Sequence, residues 1–526
     1  MPRFESDICI IGGGISAVFL AQKLSELKPG VSIVVLDAGK RMFDAENRMN
    51  YRRRSMAYGE NQWPGDFIDD QGGEGIISRT MAVGGSAMHW QGHANRFSEE
   101  DLRLRSLYGL AVDWPLSWQE LEPYLCEAER RIGVSGEASP HPQDKRSKPY
   151  PMPPMPLTYN LAQIKDWAEK PGIPYYGCPQ AKNTRPYDGR AECQRCNTCT
   201  ICPTGARYSP DYTYKRLLAE KKIRLHDQTL VRRLVMHDTN NSIVSATGAH
   251  QDRPNETVEY RARVFAVASG YAWTPHLLLM SGNSRFPNGL ANSSDLVGRY
   301  MTGHLFLTAQ IEVDRKLYVG MNEPFPLISR QFLRCPTDKP YVRHDIQIFE
   351  SNAGRRPRLH SDSGEVLFGD ALLADWRART SRGVARVRMY YDTHPSPNSR
   401  LTLDAQQRNR YGDPLPKIVH QPDNASVERE PTTRLHIQNV YEQIARANDC
   451  KILNVSASNY QDHPAGGCRM GTDPGESVCD SYGRTHDHPN LYVIGAPTLP
   501  TGGCTNATIT FVGLTLRSAD SIASRL

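Results

Sequence analysis

Apolar and polar positions in the first forty residues fall into three successive patterns. In SDICIIGGG the residues Ile8, Ile10 and Ile11 make a short apolar run, and VSIVVLD at 31–37 makes another. Runs of this length predict buried strands. Between them ISAVFLAQKLSEL places apolar residues at helical spacing and predicts an amphipathic helix. A glycine cluster joins the first strand to that helix, so the segment reads strand, turn, helix, strand. Similar runs return in TLVRRLV around Val231, in the stretch before Ala268, and in NLYVIGA at 490–496. PYPMPPMPL at 149–157 breaks the pattern and predicts an extended surface connector. No internal repeat is visible.

The glycine cluster carries chemistry. Gly12, Gly14 and Ala17 stand in the spacing Gly-x-Gly-x-x-Ala between the strand and the helix. The first glycine permits a tight turn, the second lets the backbone approach a pyrophosphate, and Ala17 lets the helix lie close to the strand. The helix amino terminus, with its unpaired N–H groups, favours phosphate. Asp37 closes the second strand, where a carboxylate can hold ribose hydroxyls. A mere tight turn would need neither the flanking elements nor the acid, so the segment reads as a dinucleotide site. Nicotinamide dehydrogenases usually complete such a site within one contiguous domain. A chain that returns to the fold with NLYVIGA in its last 40 residues reads as a flavoprotein.

Length and charge narrow the picture further. A chain of 526 residues exceeds one core and divides into two or more domains. Apolar residues make up 39% and charged residues 23%, as in a globular protein. The net charge of +6 comes from 63 basic and 57 acidic residues without one long basic run, so nucleic acid is not an expected partner. No apolar stretch reaches about 18 residues, so no membrane-spanning helix is expected. No signal peptide is expected before the first strand. Of 12 cysteines, Cys9, Cys126, Cys178, Cys335, Cys450, Cys468, Cys479 and Cys504 are scattered. These read as free thiols, several in apolar runs, rather than a disulfide framework. The other four, Cys193, Cys196, Cys199 and Cys202, crowd into CQRCNTCTICP. That spacing is open to zinc, an iron–sulfur cluster, a redox disulfide pair or chance.

Three stretches bear on that choice. RTMAVGGSAMHWQGHANRF (79–97), VASGYAWTPHLLLMSG (267–282) and DHPAGGCRMGTDP with the following DHPNLYVIGAPTLPTGGCTNATITFVGLTLRSADSI resemble the motifs of glucose–methanol–choline (GMC) oxidoreductases. Within that family SLYGLAVDWPLSWQELEPYLCEAERRIGVSG (106–136) and the CPTGA at 202–206 are most similar to bacterial FAD-dependent sugar dehydrogenases, including glucose and glycoside 3-dehydrogenase catalytic subunits. The resemblance implies an α/β protein with a Rossmann-like FAD-binding domain and a substrate domain built on an antiparallel β-sheet with helices. The FAD domain is expected in three pieces, 1–150, 205–305 and 456–526, with a connector and cysteine loop at 151–204 and the substrate domain at 306–455. It implies oxidation of a sugar or glycoside hydroxyl, at C3 in one branch, to a ketone or lactone.

Site roles follow from the same resemblance. His463 occupies the position of the catalytic base and Asn506 that of its partner, a neutral amide that can hydrogen-bond the substrate oxygen. Gly84, Gly85 and Ser86 form a small-residue turn beside the diphosphate or flavin. His89, in an HW pair, packs beside a non-covalent flavin, or tethers it as a similar histidine does in pyranose 2-oxidase. Val231 matches a strand whose backbone reads adenine. Ala268, Gly495 and Ala496 end buried strands at the cofactor, whereas His486 and His488 read as structural.

The four-cysteine loop now resolves by chemistry. Zinc usually takes two separated knuckles, whereas this run is contiguous and resembles a ferredoxin loop shortened by one residue. A flavin that does not use oxygen also needs a one-electron exit. The expectation is therefore an iron–sulfur cluster, 3Fe-4S or 4Fe-4S, on Cys193, Cys196, Cys199 and Cys202. The resemblance further implies a small chaperone-like subunit carrying the signal peptide, a cytochrome c acceptor and periplasmic location by co-export, with plain cytoplasm as the alternative. Two other readings compete: an oxidase that uses oxygen and keeps a structural cysteine loop, and an electron-transfer or scaffold subunit with a dead flavin site. The presence of both His463 and Asn506 argues against the last.

Overall fold

Ile8–Ile11 and Ile33–Leu36 are buried at every position, which suits strands covered on both faces. In the computed structural model, which describes residues 2–42, 49–50, 53, 80–196, 198–318, 325–335, 340–351 and 357–526, they lie side by side in a parallel pair. Arg79 of the GMC-like stretch and Asn197 of the cysteine loop lie outside the described residues. Along the chain the strands are β1 (Arg3–Ile11), β2 (Ile33–Leu36), β3 (Tyr176–Gly177), β4 (Arg224–His226), β5 (Thr229–Met236), β6 (Ile243–His250), β7 (Arg253–Val267), β8 (Thr302–Val313), β9 (Leu327–Ser329), β10 (His344–Glu350), β11 (Gly383–Asp392), β12 (Arg400–Arg408), β13 (Pro414–Val419), β14 (Ile452–Ala457), β15 (Asp462–Ala465) and β16 (Leu491–Val493).

Two sheets result. The first runs β4-β2-β1-β7-β6-β5, with the late strand β16 also pairing parallel to β7. NLYVIGA therefore does return to the sheet that begins the chain. The helix Ile15–Leu27 covers one face of this sheet, and Ala17, Val18, Phe19, Leu20 and Ala21 are all fully buried. The helix Thr508–Ala523 packs beside it, and Lys23 reaches across to Asp520 at 3.0 Å. Each fully buried Ile, Leu or Phe in this core contributes about 1.5–3 kcal/mol.

The second sheet runs β14-β8-β11-β10-β9-β3, and β15 pairs with β8. Its strands alternate strictly. Leu307, Ala309, Ile311, Ala385, Val387, Met389, Ile346 and Ile348 face one way, into a core closed by Ile437, Val440, Tyr441 and Ile444 of the helix Asn424–Ala447. The intervening residues Gln347, Phe349, Arg386, Arg388 and Tyr390 then face the opposite side and line a cavity. This sheet also takes in β3, the helix Tyr159–Glu169 and β15, so the stretches that build it reach beyond 306–455 at both ends. The proline-rich 149–157 segment is extended as expected, but Met152 and Met155 are buried. It is pinned to the body by those two side chains rather than lying free on the surface.

Candidate active site

One cavity of about 690 Å³ lies between the two sheets. From the first sheet come the ends of its strands and turns. Gly12 has φ +97°, and a β-carbon there would stand 2.6 Å from the Ala268 carbonyl oxygen, so only glycine fits. Gly14 begins the helix Ile15–Leu27 without any side-chain cap, and a β-carbon on it would meet nothing within 4 Å. The helix amino terminus, left without a side-chain cap, thus opens onto space suited to an anion. Gly84, at φ +104°, donates its N–H to the Gly13 carbonyl at 2.8 Å and lays the Gly84–Gly85–Ser86 turn against the glycine turn. Asp37 accepts from the backbone N–H groups of Gly13 at 2.6 Å and Gly39 at 2.7 Å. Burial pushes its carboxyl up to about 6, against those two hydrogen bonds.

Val231, Ala268 and Ala496 also line the cavity. Gly495 approaches the first turn of the helix, where a β-carbon would stand 2.6 Å from Ser16 Oγ. Ala17 lies behind that turn, fully buried. His89 is not among the lining residues; its Nε2 is 2.5 Å from Thr80 Oγ1, while Thr80 and Trp90 face the cavity. These surfaces fit FAD: a glycine cradle for the diphosphate, an acid at the ribose position and a strand edge beyond it.

His463 and Asn506 meet on the second sheet's side of the same cavity. Asn506 Nδ2 is 2.8 Å from His463 Nε2. The surrounding network assigns the direction of that bond. Asp345 Oδ2 accepts from Gln347 Nε2 at 3.3 Å and Thr505 Oγ1 at 2.9 Å. Gln347 Nε2 and Asn95 Nδ2 then donate to Asn506 Oδ1 at 3.2 and 3.3 Å. With its oxygen so occupied, Asn506 presents N–H to His463 Nε2, which carries a lone pair. The ring proton therefore rests on Nδ1, 2.8 Å from His304 Nε2.

The surroundings tune this ring. His463 has φ +48°, a backbone conformation that costs a histidine of order 1 kcal/mol and recurs at functional positions. Its N–H donates to Asp462 Oδ1 at 2.9 Å, and Tyr390 Oη donates to Asp462 Oδ2 at 3.0 Å. Burial holds His463 below the ordinary histidine value, with the Asp462 charge opposing and that of Arg388 assisting. His304 is fully buried, and burial followed by the charge of His463 brings it down to about 3, so it stays neutral. His304, Gln347 and Asp345 escaped the sequence reading. Their signal was available: Asp345 and Gln347 at alternate positions of an otherwise apolar strand core, and a histidine near the start of another apolar strand. His488 is structural, accepting from Ala291 N–H at 2.9 Å and donating to the Asn241 carbonyl.

The cysteine loop divides. Cys196 is exposed, 3.1 Å from Thr198 Oγ1. Cys193, Cys199 and Cys202 are partly or fully buried and feel one another's charge. Burial raises Cys193 and Cys199; at Cys202 it is outweighed by the N–H and guanidinium of Arg207, so that thiol falls below its ordinary value. Lys182, 1% exposed, lowers Cys193 and Cys199, and its ammonium has no hydrogen-bonded carboxylate among the described residues. Among the described residues no three His, Cys, Asp or Glu side chains stand close enough to hold a metal ion.

Comparison with known proteins places these features. Two models described as GMC oxidoreductase match residues 160–306 and 376–515. The fructose dehydrogenase large subunit of Gluconobacter japonicus is 30% identical over 99% of this chain and 98% of its own. The 2-methyl-1,2-propanediol dehydrogenase of Mycolicibacterium austroafricanum is 28% identical over 99% and 96%. Formate oxidase of Aspergillus oryzae, a solved structure, superposes with a TM-score of 0.65 over 100% of this chain and 99% of its own at 14% identity, which shows a common fold.

Proposed function

Because the chain belongs to the GMC oxidoreductase family and is an FAD-dependent oxidoreductase of CH–OH groups, we propose that its donor is a sugar or sugar-like polyol and that it works as a dehydrogenase. The observation that carries the reading is the convergence of His463 Nε2 and Asn506 Nδ2, 2.8 Å apart, on a cavity floored by the glycine turn. The substrate hydroxyl enters between them. Asn506 donates to its oxygen, and His463 Nε2 takes its proton. The imidazolium so formed keeps Nδ1–H on His304 and lies 3.8 Å from the Asp462 carboxylate. Bound FAD supplies the hydride acceptor for the carbon. The names of the fructose dehydrogenase and of the gluconate 2-dehydrogenase flavoprotein, 24% identical over 98% of this chain, support a sugar donor.

For electron exit we propose an iron–sulfur cluster on Cys193, Cys199 and Cys202. Three cysteines in one loop beside the buried Lys182 ammonium, which has no hydrogen-bond partner among the described residues, form a donor set of suitable chemistry, because an anionic centre would supply that cation's counter-charge; the thiols would have to draw together around it. Exposed Cys196 is left for a fourth iron or for none. Such a cluster, when bound, exchanges single electrons. A small partner subunit and a cytochrome c acceptor, with export to the periplasm, belong to the same proposal; that the fructose dehydrogenase relative is a large subunit supports it. The proposal extends to C3 selectivity, which the C-glycoside 3-oxidase relative, 22% identical, supports.

The test is anaerobic flavin bleaching with a panel of sugars, glycosides and polyols, followed by turnover with a dye or with oxygen. Iron and sulfide are assayed on the same sample. Bleaching by sugars, dye turnover well above oxygen turnover, and three or four irons per chain are expected. Bleaching only by simple alcohols would overturn the donor, fast oxygen turnover the dehydrogenase reading, and iron-free protein with full dye turnover the cluster.

A further inference from the structure

The cavity wall opposite the glycine turn carries a surplus of positive charge. Arg386 and Arg388 are alternate residues of β11, separated by the core residue Val387, so both project from the same face and both line the cavity that holds His463 and Asn506. Arg386 stacks on the Phe349 ring with its guanidinium carbon 4.6 Å from the centroid. Arg388 lies 4.8 Å over Phe306 and donates to Tyr390 Oη at 2.8 Å. Among the described residues neither forms a salt bridge, and the Nε of each is buried without a hydrogen-bond partner. Stacking orients a guanidinium but does not neutralise it.

The carboxylates nearby are committed elsewhere. Asp462 accepts from Tyr390 and from the His463 N–H. Asp345 accepts from Gln347 and Thr505. Glu350 accepts from Asn160 Nδ2 at 2.6 Å. Two half-buried like charges two residues apart repel each other, and burial together with Arg388 lowers the pKa of Arg386. A protein that needed only packing could place apolar or neutral side chains here. An anion lodged against the guanidinium groups would offset their charge and remove the repulsion.

We propose that the substrate is an anionic polyol, a sugar acid or sugar phosphate, whose charged group lies against Arg386 and Arg388 while one of its hydroxyls reaches His463 and Asn506. This rests on the CH–OH donor reading of the same cavity and specifies its substrate class. A charge-assisted hydrogen bond to such a group favours it over the neutral sugar by about tenfold to a hundredfold.

The experiment compares glucose with gluconate, glucuronate and glucose 6-phosphate, measuring kcat/KM for flavin reduction by the holoprotein, its Arg386→Gln and Arg388→Gln variants, and Arg386→Lys. FAD content and unfolding midpoint report whether each variant has folded. An anionic donor should exceed glucose at least tenfold, with Arg386→Gln and Arg388→Gln cutting that ratio about tenfold and Arg386→Lys keeping most of it. Preference for the acids assigns the group as carboxylate, and preference for glucose 6-phosphate assigns it as phosphate; either upholds the proposal. Glucose used as well as the anions, with a ratio unmoved by the substitutions, overturns it. If no donor bleaches the flavin, the CH–OH reading has failed separately. Calorimetric titration with gluconate and with glucose 6-phosphate then decides: salt-sensitive binding lost in the Gln variants upholds the anion site, and no binding of either refutes it.

Discussion

Replacing His304 isolates the feature on which the proton-transfer geometry depends. Its Nε2 accepts Nδ1–H of His463 at 2.8 Å and so keeps the His463 lone pair on Nε2, toward the substrate. With a neutral ring this bond is worth about 0.5–1.5 kcal/mol; once His463 takes a proton it becomes charge-assisted and worth about 1.5–3 kcal/mol. The difference, about 1–2 kcal/mol, is stabilisation made only as the proton arrives. His304→Ala should therefore slow flavin reduction about 5- to 30-fold, with KM changing less than kcat. Because that bond favours the protonated ring, losing it should also move the acid limb of the rate profile to lower pH. The fully buried histidine leaves a hole, so a lower unfolding midpoint is expected as well. His304→Gln, which keeps an acceptor in a filled site, should recover much of the rate. The assay is anaerobic stopped-flow bleaching of the flavin between pH 5 and 9. A His304→Ala protein that bleaches within twofold of the parent, on an unshifted pH profile, would refute the reasoning.

Further outcomes follow from single features. Asp462→Asn removes the charge that raises His463, so the acid limb should move to lower pH while the plateau rate falls about tenfold; a limb moving upward would contradict the assignment. Asp345→Asn removes the acceptor that sets the direction of the Gln347–Asn506 chain, and flavin reduction should drop several-fold with FAD content intact, as read by bleaching rate per bound flavin. Gly12→Ala should abolish FAD loading, because the added carbon would stand 2.6 Å from the Ala268 carbonyl oxygen; yellow protein with full flavin per chain after desalting would falsify the cradle. Arg343→Met strands the buried carboxylates of Asp101 and Asp392 and should cost about 3–5 kcal/mol in urea unfolding. Burial would raise Asp392, but His394 and Arg343 together hold it well below the ordinary carboxylate value. Its stabilisation is therefore present above pH ~3.8 and lost as pH falls below that, and this acid-side loss should shrink in the variant.

The nucleotide half of the site was legible because its constraints are local. Gly12, Gly14 and Asp37 act through backbone conformation and short spacings, and these survive as a pattern in the sequence. His463 and Asn506 became visible only through the resemblance of their flanking motifs; in space they are joined by a bond that spans 43 residues. His304, Asp345 and Gln347 were missed because their roles arise from sheet pairing, with β15 laid on β8 and β10 beside β11. The arginines of β11 show the same limit. GVARVRMYYD alternates visibly, but which face meets the cavity is decided by the helix Asn424–Ala447 covering the other. The proline-rich connector misled through composition, since Met152 and Met155 anchor it. In the cysteine loop, even spacing suggested four equal ligands, whereas the fold buries Cys202, half-buries Cys193 and Cys199, and exposes Cys196.

The central claim is that His463 removes the hydroxyl proton on a site that holds FAD independently of it. The most direct test is His463→Ala, purified with its flavin and mixed anaerobically with the best donor of the panel. The account predicts normal FAD content and flavin bleaching slowed by about 10²–10⁴-fold, with the acid limb of the pH profile gone. Bleaching at near the parent rate, with the acid limb still present, would show that another group takes the proton.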